Sequence, residues 1–283
     1  MTTTSDPAAE LRPLNAQLPT GEYLADMWAR RDFVIAMPME QLRSAHQDTL
    51  LGNIWHLGNP LLSTAVYYLV FGVMLGASRG VENFILWLTV GVFTFGLTSG
   101  TVTGGATSIS NNAGLMRAIR FPRALLPVSV VLSRLMSFGF QLVVIGGVAL
   151  ITGEGVSRRW LALPLVVLVH TAFNTGGAFI AARMNDAFRD VQQIIPFIFR
   201  LLIYVSGVMF PIQGRLGAAE APSIVVQLNR LNPLVPLIDM YRWVFLGNPV
   251  DLDHLVYAVA FSAALLAGGF WFFRGAEMRY GRG

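Results

Sequence analysis

The chain has 283 residues, of which 54% are hydrophobic and only 13% are charged, and its formal net charge at pH 7 is +4. Soluble domains carry about a quarter charged residues, so this composition indicates an integral membrane protein. Cysteine and lysine are both absent, which excludes disulfides, thiol catalysis, Schiff-base chemistry and a phosphate-binding loop of the GxxxxGKS/T type.

The N-terminal region is predicted to contain a cytoplasmic tail and a helix that lies at the membrane surface. Residues 1–19 are polar and proline-containing, which predicts disorder, and no apolar core typical of a signal peptide follows them. Residues 20–37 predict an amphipathic helix with Thr20 as its N-cap. Its apolar side chains on roughly one face are Leu24, Met27, Trp28, Val34 and Ile35. Such a helix is typical of the headgroup region, although an ordinary soluble helix has the same pattern.

Six apolar stretches follow, each of about the length that a helix needs to cross a bilayer. They are residues 60–77, 84–104, 125–152, 160–182, 191–211 and 255–273. Segment 212–254 contains two apolar pieces, 222–228 and 233–246, which are too short to cross and predict short re-entrant helices. The predicted fold class is therefore all-α, with one transmembrane domain over residues 20–283, six membrane-spanning helices and a surface helix before them.

The distribution of arginine predicts the orientation. If the N-terminus is cytoplasmic, twelve arginines lie in inside segments and six in outside segments, which favours a multi-pass protein of the cytoplasmic membrane with both termini inside. Arg158 and Arg159 run against this rule. Because the arginines flank apolar runs, the positive charge indicates membrane topology rather than nucleic-acid binding.

The six predicted spans contain no Asp or Glu, the residues with which ion-coupled transporters usually carry their ion. His170 is the one group there that titrates near neutrality, and a lone histidine of this kind more often packs by hydrogen bonds. Arg134 and Arg200 each lie nine residues into a span, about 13 Å deep. They are candidates for contact with a substrate phosphate or a hydrated lumen, and a structural hydrogen-bond network is the alternative.

Aromatic side chains are dense in the first and fifth predicted spans. The candidates for a channel surface are Tyr67, Tyr68, Phe71, Phe197, Phe199 and Tyr204. Aromatic rings stack on sugar faces and give a sliding surface without fixed binding. Packing against lipid or neighbouring helices is the alternative for each of these residues.

Four segments have more specific patterns than the spans. They are residues 49–55 with Asn59 and Pro60 and then residues 68–72; residues 115–127, which contain Phe121-Pro122-Arg123; residues 188–191; and residues 231–234, followed by Tyr241-Arg242-Trp243. Together these segments resemble the membrane subunits of polysaccharide-exporting ABC transporters of the O-antigen and teichoic-acid type. The resemblance runs from Gly21 to the C-terminus and is closest to the mycobacterial-type exporter of cell-wall galactan. One departure is His46-Gln47, where the family usually has a tyrosine and a basic residue.

The resemblance implies a permease that is not itself an enzyme and binds no metal or cofactor. ATP and Mg²⁺ would bind to a separate ATPase subunit, two copies of this chain would form the channel, and a polyprenyl-pyrophosphate-linked glycan would be the substrate. The implied contacts with the ATPase are Arg30, Arg31, Arg117, Arg120, Phe121, Pro122 and Arg123. The implied exit gate contains Asn232, Pro233, Tyr241, Arg242 and Trp243.

Other functions remain open at this stage. A drug or lipid efflux permease of the same superfamily shares the same architecture. An ion-coupled secondary transporter is disfavoured by the acid-free spans, and a membrane enzyme is disfavoured because no cluster of His, Asp or Glu lies within them. For Arg117, Arg120 and Arg123, simple positive-inside topology is an alternative to a coupling role.

Overall fold

The computed structural model describes residues 19–32, 35–37, 55–76, 78, 80–209, 229 and 231–280, which form helices without any β-strand in these ranges. The main helices are α1 (Thr20–Ala29), α2 (Trp55–Tyr67, continued as a π-helix over Tyr68–Met74), α3 (Phe84–Thr107), α4 (Ala113–Ala118), α5 (Leu125–Ile151), α6 (Leu163–Ala187), α7 (Val191–Val205), α8 (Leu234–Leu246) and α9 (Leu252–Arg274). Residues 1–18 of the predicted tail 1–19, residues 49–54 of the motif 49–55 and the apolar piece 222–228 lie outside the described residues.

Among the residues that the structure describes, four helices are long and apolar enough to cross a membrane. They are Phe84–Thr107, Leu125–Ile151, Arg158–Ala187 and Leu252–Arg274, which correspond to the second, third, fourth and sixth predicted spans. The apolar helices Gly58–Met74 and Val191–Val205 are shorter. The 15 residues of α7 rise only about 22 Å, less than a hydrocarbon core of about 30 Å. The first and fifth membrane-spanning helices therefore stay predictions.

Helix α3 lies at the centre of the bundle. Its contacts include α5, α6, α7 and α8, and Leu86, Leu88, Val90 and Phe93 are fully buried. A helix that is apolar all round is either covered by neighbouring helices or faces lipid. Helix α3 is of the first kind, because its neighbours bury most of its apolar side chains.

Helices α6 and α9 approach so closely that their backbones touch. A Cβ atom at Gly176 would lie 2.4 Å from the carbonyl oxygen of Leu265, and one at Gly269 would lie 2.5 Å from that of Gly176. Within a membrane, helices associate mainly through packing, and small residues permit this close approach. The two glycines therefore fix the separation of α6 and α9.

The α1 end of the bundle has its own apolar core. Tyr23 of α1 packs there with Phe179 of α6 and with Phe273 and Tyr280 around the end of α9. The segment before α5 joins this core through Ala124. At this end of the bundle, helix α1 thus meets the segment between α4 and α5 and the described residues after α9. The prediction that both termini lie on one side of the membrane requires such an arrangement.

Two details of α1 differ from the sequence prediction. The helix begins at Thr20 with Pro19 in the N-cap position, and no side chain caps it. The hydroxyl of Thr20 instead accepts a hydrogen bond from Arg274, 2.5 Å away, so the prediction of Thr20 as N-cap is wrong. The helix ends at Ala29, and it buries Tyr23 while Leu24 and Trp28 stay exposed.

Candidate functional site

The segment between α4 and α5 forms an exposed basic surface. Helix α4 ends at Ala118, and Ile119 is extended, with φ −135° and ψ 151°. Proline disfavours helix in the residue before it, so Pro122 keeps Phe121 out of a helix, and a turn at Arg123 and Ala124 leads into α5. Arg117, near the end of α4, and Arg120, just after it, are exposed, while Pro122 is buried. The segment is thus anchored at Pro122, and these two arginines point outward.

A hydrogen-bonded cluster, which we call the basal clamp, joins this segment to helix α1 and to the residues at and after the end of α9. It consists of Thr20, Tyr23, Arg123, Arg274 and Glu277. The hydroxyl of Tyr23 donates to Oε1 of Glu277 at 2.7 Å and accepts from the backbone N–H of Ala124 at 3.2 Å. The backbone N–H of Arg123 donates to the same carboxylate oxygen at 2.8 Å. One carboxylate therefore holds α1 and the start of α5 together.

Arginine side chains complete the basal clamp. The guanidinium of Arg274 lies 5.0 Å from the ring centre of Tyr23, and that of Arg123 donates to the backbone carbonyl of Glu277. Burial raises the pKa of Glu277 above its usual value, although hydrogen bonds from Tyr23 and Arg123 oppose this. Burial and the nearby Glu277 carboxylate also raise the pKa of Tyr23. The clamp thus holds a partly desolvated carboxyl group at the junction of three segments.

Arg30 and Arg31, which the sequence predicted to contact an ATPase, are exposed just after the end of α1. Nε of Arg30 donates to Asp26 at 3.0 Å, and Arg31 donates to the backbone carbonyl of Trp28 at 3.4 Å. Neither takes part in the basal clamp. Beside α4, a cavity of about 480 Å³ is lined in part by Asp186, Arg189 and Arg279. The α1 end therefore offers two basic surfaces with a polar recess next to α4.

A second cavity, which we call the Arg134 cavity, opens between α2, α3, α5 and α7 and has a volume of about 630 Å³. Arg134 lines it on α5. The other polar lining residues are Asn59, Ser63, Tyr67, Ser99, Ser137 and Gln141. Val92, Phe93 and Phe95 contribute part of an apolar wall. The sequence predicted Arg134 and Tyr67 as pathway residues, and the structure brings these two together.

The guanidinium of Arg134 lies flat along α3. A Cβ atom at Gly100 would lie 3.4 Å from its carbon and nitrogen atoms. A Cβ atom at this distance would be in ordinary van der Waals contact, so the backbone of Gly100 and the guanidinium pack directly against each other. No hydrogen bond or ion pair of Arg134 is formed with any residue that the structure describes.

The other predicted pathway residues are divided among three positions. Tyr68, Phe197, Arg200 and Tyr204 are exposed on the outside of α2 and α7. Phe199 is half-buried and contacts Phe95 edge to face at 5.9 Å. The ring centres of Phe71 and Tyr67 are 6.5 Å apart. Their role as a channel surface stays a prediction, because only Tyr67 of the six aromatic residues lines the Arg134 cavity.

Arg242 in α8 is buried, with 4% of its surface exposed. Its guanidinium lies 3.5 Å from the ring centre of Trp87 and donates to the carbonyl of Gly207 at 2.9 Å. It also donates to Asp239 at 3.3 Å. The side chain therefore joins α8 to α3 and to the turn after α7. The topology prediction counted Arg242 among the arginines of outside segments, and the structure shows that it is buried.

The other predicted gate residues also lie inside the bundle. The ring of His170 contacts the hydroxyl groups of Thr98 and Tyr241 at 2.6 and 3.2 Å. Asn232 accepts from the backbone N–H of Leu234 at 3.0 Å and donates to Ser206 at 2.8 Å. Pro233 occupies the N-cap position of α8, and Trp243 packs against the main core. Helix α8 is thus fixed to its neighbours by polar contacts at its start and middle.

Sequence reasoning missed Glu277, Tyr23 and Trp87. The partners Tyr23 and Glu277 are 254 positions apart, and no local pattern marks either residue. A buried charge needs a partner. Because Arg242 lies in an apolar helix, the sequence could have indicated that its guanidinium packs against another side chain, such as the aromatic ring of Trp87. In the described part of the chain, no three His, Asp or Glu side chains come together in a way that could hold a metal ion.

The sequence matches known membrane transport proteins along most of its length. A family model described as ABC-2 type transporter matches residues 34–246. The chain is 28% identical over 242 residues to the O-antigen export system permease protein RfbA of Myxococcus xanthus, which covers 85% of this chain and 91% of that protein. Two proteins of the same name from Klebsiella pneumoniae are each 22% identical over 225 residues, covering 79% of this chain and 84% of those proteins.

Proposed function

This chain belongs to the ABC-2 type transporter family, and from that premise we propose that it is the permease subunit of an ATP-driven exporter of lipid-linked cell-envelope polysaccharide. The observation that carries the proposal is similarity to O-antigen export permeases over 85% of the chain. The proposed partners are a nucleotide-binding ATPase subunit and a second copy of this chain. Galactan is the glycan that the sequence resemblance favours.

The placement of charge supports an external energy source. Acidic residues within the four long helices stand near their ends, as Asp186 and Asp253 do. Ion-coupled transporters usually need a carboxylate at depth. Because the chain has no lysine, it also has no phosphate-binding loop of its own. A separate ATPase is therefore the proposed source of motion, with ATP and Mg²⁺ bound there.

The α1 end is the proposed docking surface for that ATPase. Arg117 and Arg120 project from a segment that Pro122 anchors, so a force applied to them reaches the start of α5 directly. The basal clamp carries the same force to α1 through Tyr23 and to the end of α9 through Glu277. The two hydrogen bonds to the Glu277 carboxylate, from the Tyr23 hydroxyl and from the backbone N–H of Arg123, are 2.7 and 2.8 Å long. Such bonds transmit displacement better than a flexible loop does.

The export assignment is tested by depletion of this chain in its native cell. Lipid-linked glycan should accumulate on the cytoplasmic face, and its sugar composition identifies the glycan. A drug or small-lipid efflux permease would leave this pool unchanged. Continued glycan export at the normal rate after depletion would overturn the proposal.

The docking surface is tested by complementation with the double variant Arg117→Gln, Arg120→Gln. We expect membrane insertion to persist, while export and co-purification of the ATPase are lost. The matched control is Arg158→Gln, which removes an exposed arginine at the other end of the bundle and should restore export fully. Normal ATPase co-purification with the double variant would place the docking surface elsewhere.

A further inference from the structure

Arg134 is an arginine at membrane depth without a protein counter-charge among the described residues. It lies nine residues after the start of α5, about 13 Å along the helix. A guanidinium at this depth is costly unless it meets water, hydrogen-bond acceptors or an anion. The cavity must therefore supply one of these.

The Arg134 cavity is lined on several sides by groups that bind oxyanions. Hydroxyl groups of Ser63, Tyr67 and Ser99 lie on α2 and α3, and Asn59 adds an amide. A guanidinium and neutral hydrogen-bond donors are the usual partners of phosphate oxygens. None of the described residues that line the cavity is acidic. This part of the lining thus offers hydrogen-bond donors to an anion without a carboxylate to repel it.

The surroundings of the guanidinium also fit a ligand. A Cβ atom at Gly100 would lie 3.4 Å from it, so this glycine lets the guanidinium lie close against α3 beside the cavity. Arg242 donates to Gly207 and to Asp239, whereas Arg134 has no hydrogen-bond or ion-pair partner among the described residues. The contrast between these two arginines indicates different tasks.

Resting on the proposed function, we propose that the Arg134 cavity binds the pyrophosphate of the lipid-linked substrate. The guanidinium contacts phosphate oxygens, and the hydroxyl and amide groups of α2 and α3 complete the site. Tyr67 of α2 and Ile203 of α7 both line the cavity, and the proposed path of the prenyl chain towards lipid runs between these two helices. Arg134 is then a substrate-binding residue that holds the charged group while the glycan lies in the transport path.

The experiment measures binding of farnesyl pyrophosphate to the full-length chain in phosphatidylcholine nanodiscs by calorimetry. Arg134→Gln should weaken binding about tenfold or more, the usual effect of losing a charge-assisted hydrogen-bond pair, and Arg134→Lys should restore part of it. Arg158→Gln is the control, because this exposed arginine lies just before α6 and outside the cavity. It should bind farnesyl pyrophosphate as tightly as the unmodified chain does.

Competitors separate the sources of the anion. Inorganic pyrophosphate should compete only at much higher concentration than farnesyl pyrophosphate, and phosphatidylglycerol should not compete. Equal binding by Arg134→Gln overturns the site. Equal competition by phosphatidylglycerol or by inorganic pyrophosphate overturns the assignment to a lipid pyrophosphate. Thermal unfolding of Arg134→Gln should match that of the unmodified chain, because no described protein partner is lost.

These outcomes are independent of the depletion experiment. If glycan export persists after depletion while binding still depends on Arg134, the export proposal fails and the pyrophosphate site stands. If depletion blocks export but Arg134→Gln binds normally, the site fails and the export proposal stands.

Discussion

Glu277 occupies a position where its protonation state affects three segments together. Its carboxylate accepts hydrogen bonds from Tyr23 and from the backbone of Arg123. The neighbouring apolar core, which includes Phe273 and Tyr280, covers part of this group and leaves it half-buried. Burial therefore raises its pKa even though two arginines lie nearby.

The pH dependence of stability follows from this raised pKa. The folded chain binds a proton at Glu277 at pH values where the unfolded chain, with a pKa near 4.5, has released it. The favourable contribution is fully present below that value and is lost as pH rises through the folded pKa. It amounts to about 1.4 kcal/mol for each unit by which the pKa is raised.

Glu277→Gln keeps the shape of the side chain but removes its titration. The free energy of unfolding of the native chain, measured relative to this variant in detergent, should fall as pH rises from about 4.5. The control is Glu82→Gln, which removes an exposed acid at the opposite end of the bundle. The same pH slope for both variants would contradict the role of Glu277.

Adjacent glycines in α9 have opposite roles in its packing against α6. A Cβ atom at Gly269 would lie 2.5 Å from a backbone oxygen of α6, whereas one at Gly268 meets nothing within 4 Å. Gly269→Ala should destabilise the chain by roughly 1–3 kcal/mol through overpacking. Gly268→Ala should be neutral or stabilise by up to about 1 kcal/mol, because alanine favours helix. Thermal unfolding of both variants in detergent tests this, and equal effects would show that α6 and α9 separate easily.

Arg242 and Trp87 fix helix α8 to helix α3. Arg242→Ala removes the ring contact and the bond to Gly207, and should cost roughly 2–4 kcal/mol. Trp87→Leu removes only the ring contact and should cost less. A double-mutant cycle isolates their coupling, which we expect to be about 0.5–2 kcal/mol. Additive effects in the unfolding measurements would mean that the stacked geometry contributes no energy.

Hydropathy predicted the helices whose ends coincide with a change in composition. The predicted starts at residues 84 and 125 agree with Phe84 and Leu125, because polar residues or Pro and Arg precede each apolar run. Helix α7 ends at Val205 although apolar residues continue, because the backbone turns at Gly207, where φ is +64°. Hydropathy does not detect such a turn. The long-range pairs at Tyr23 and Arg242 depend on packing between distant segments, which composition does not encode.

The whole chain is expected to place the basal clamp in the cytoplasm and the start of α6 outside. Because the sequence lacks cysteine, single cysteines report topology without interference from native thiols. Arg120→Cys lies on the exposed segment before α5, and Val156→Cys lies in the exposed loop between α5 and α6, where Val156 is 70% exposed. In intact cells, a membrane-impermeant maleimide should label Val156→Cys but should label Arg120→Cys only after the membrane is opened. The reversed pattern would overturn the arginine-based orientation and would remove the surface on which an ATPase is proposed to act.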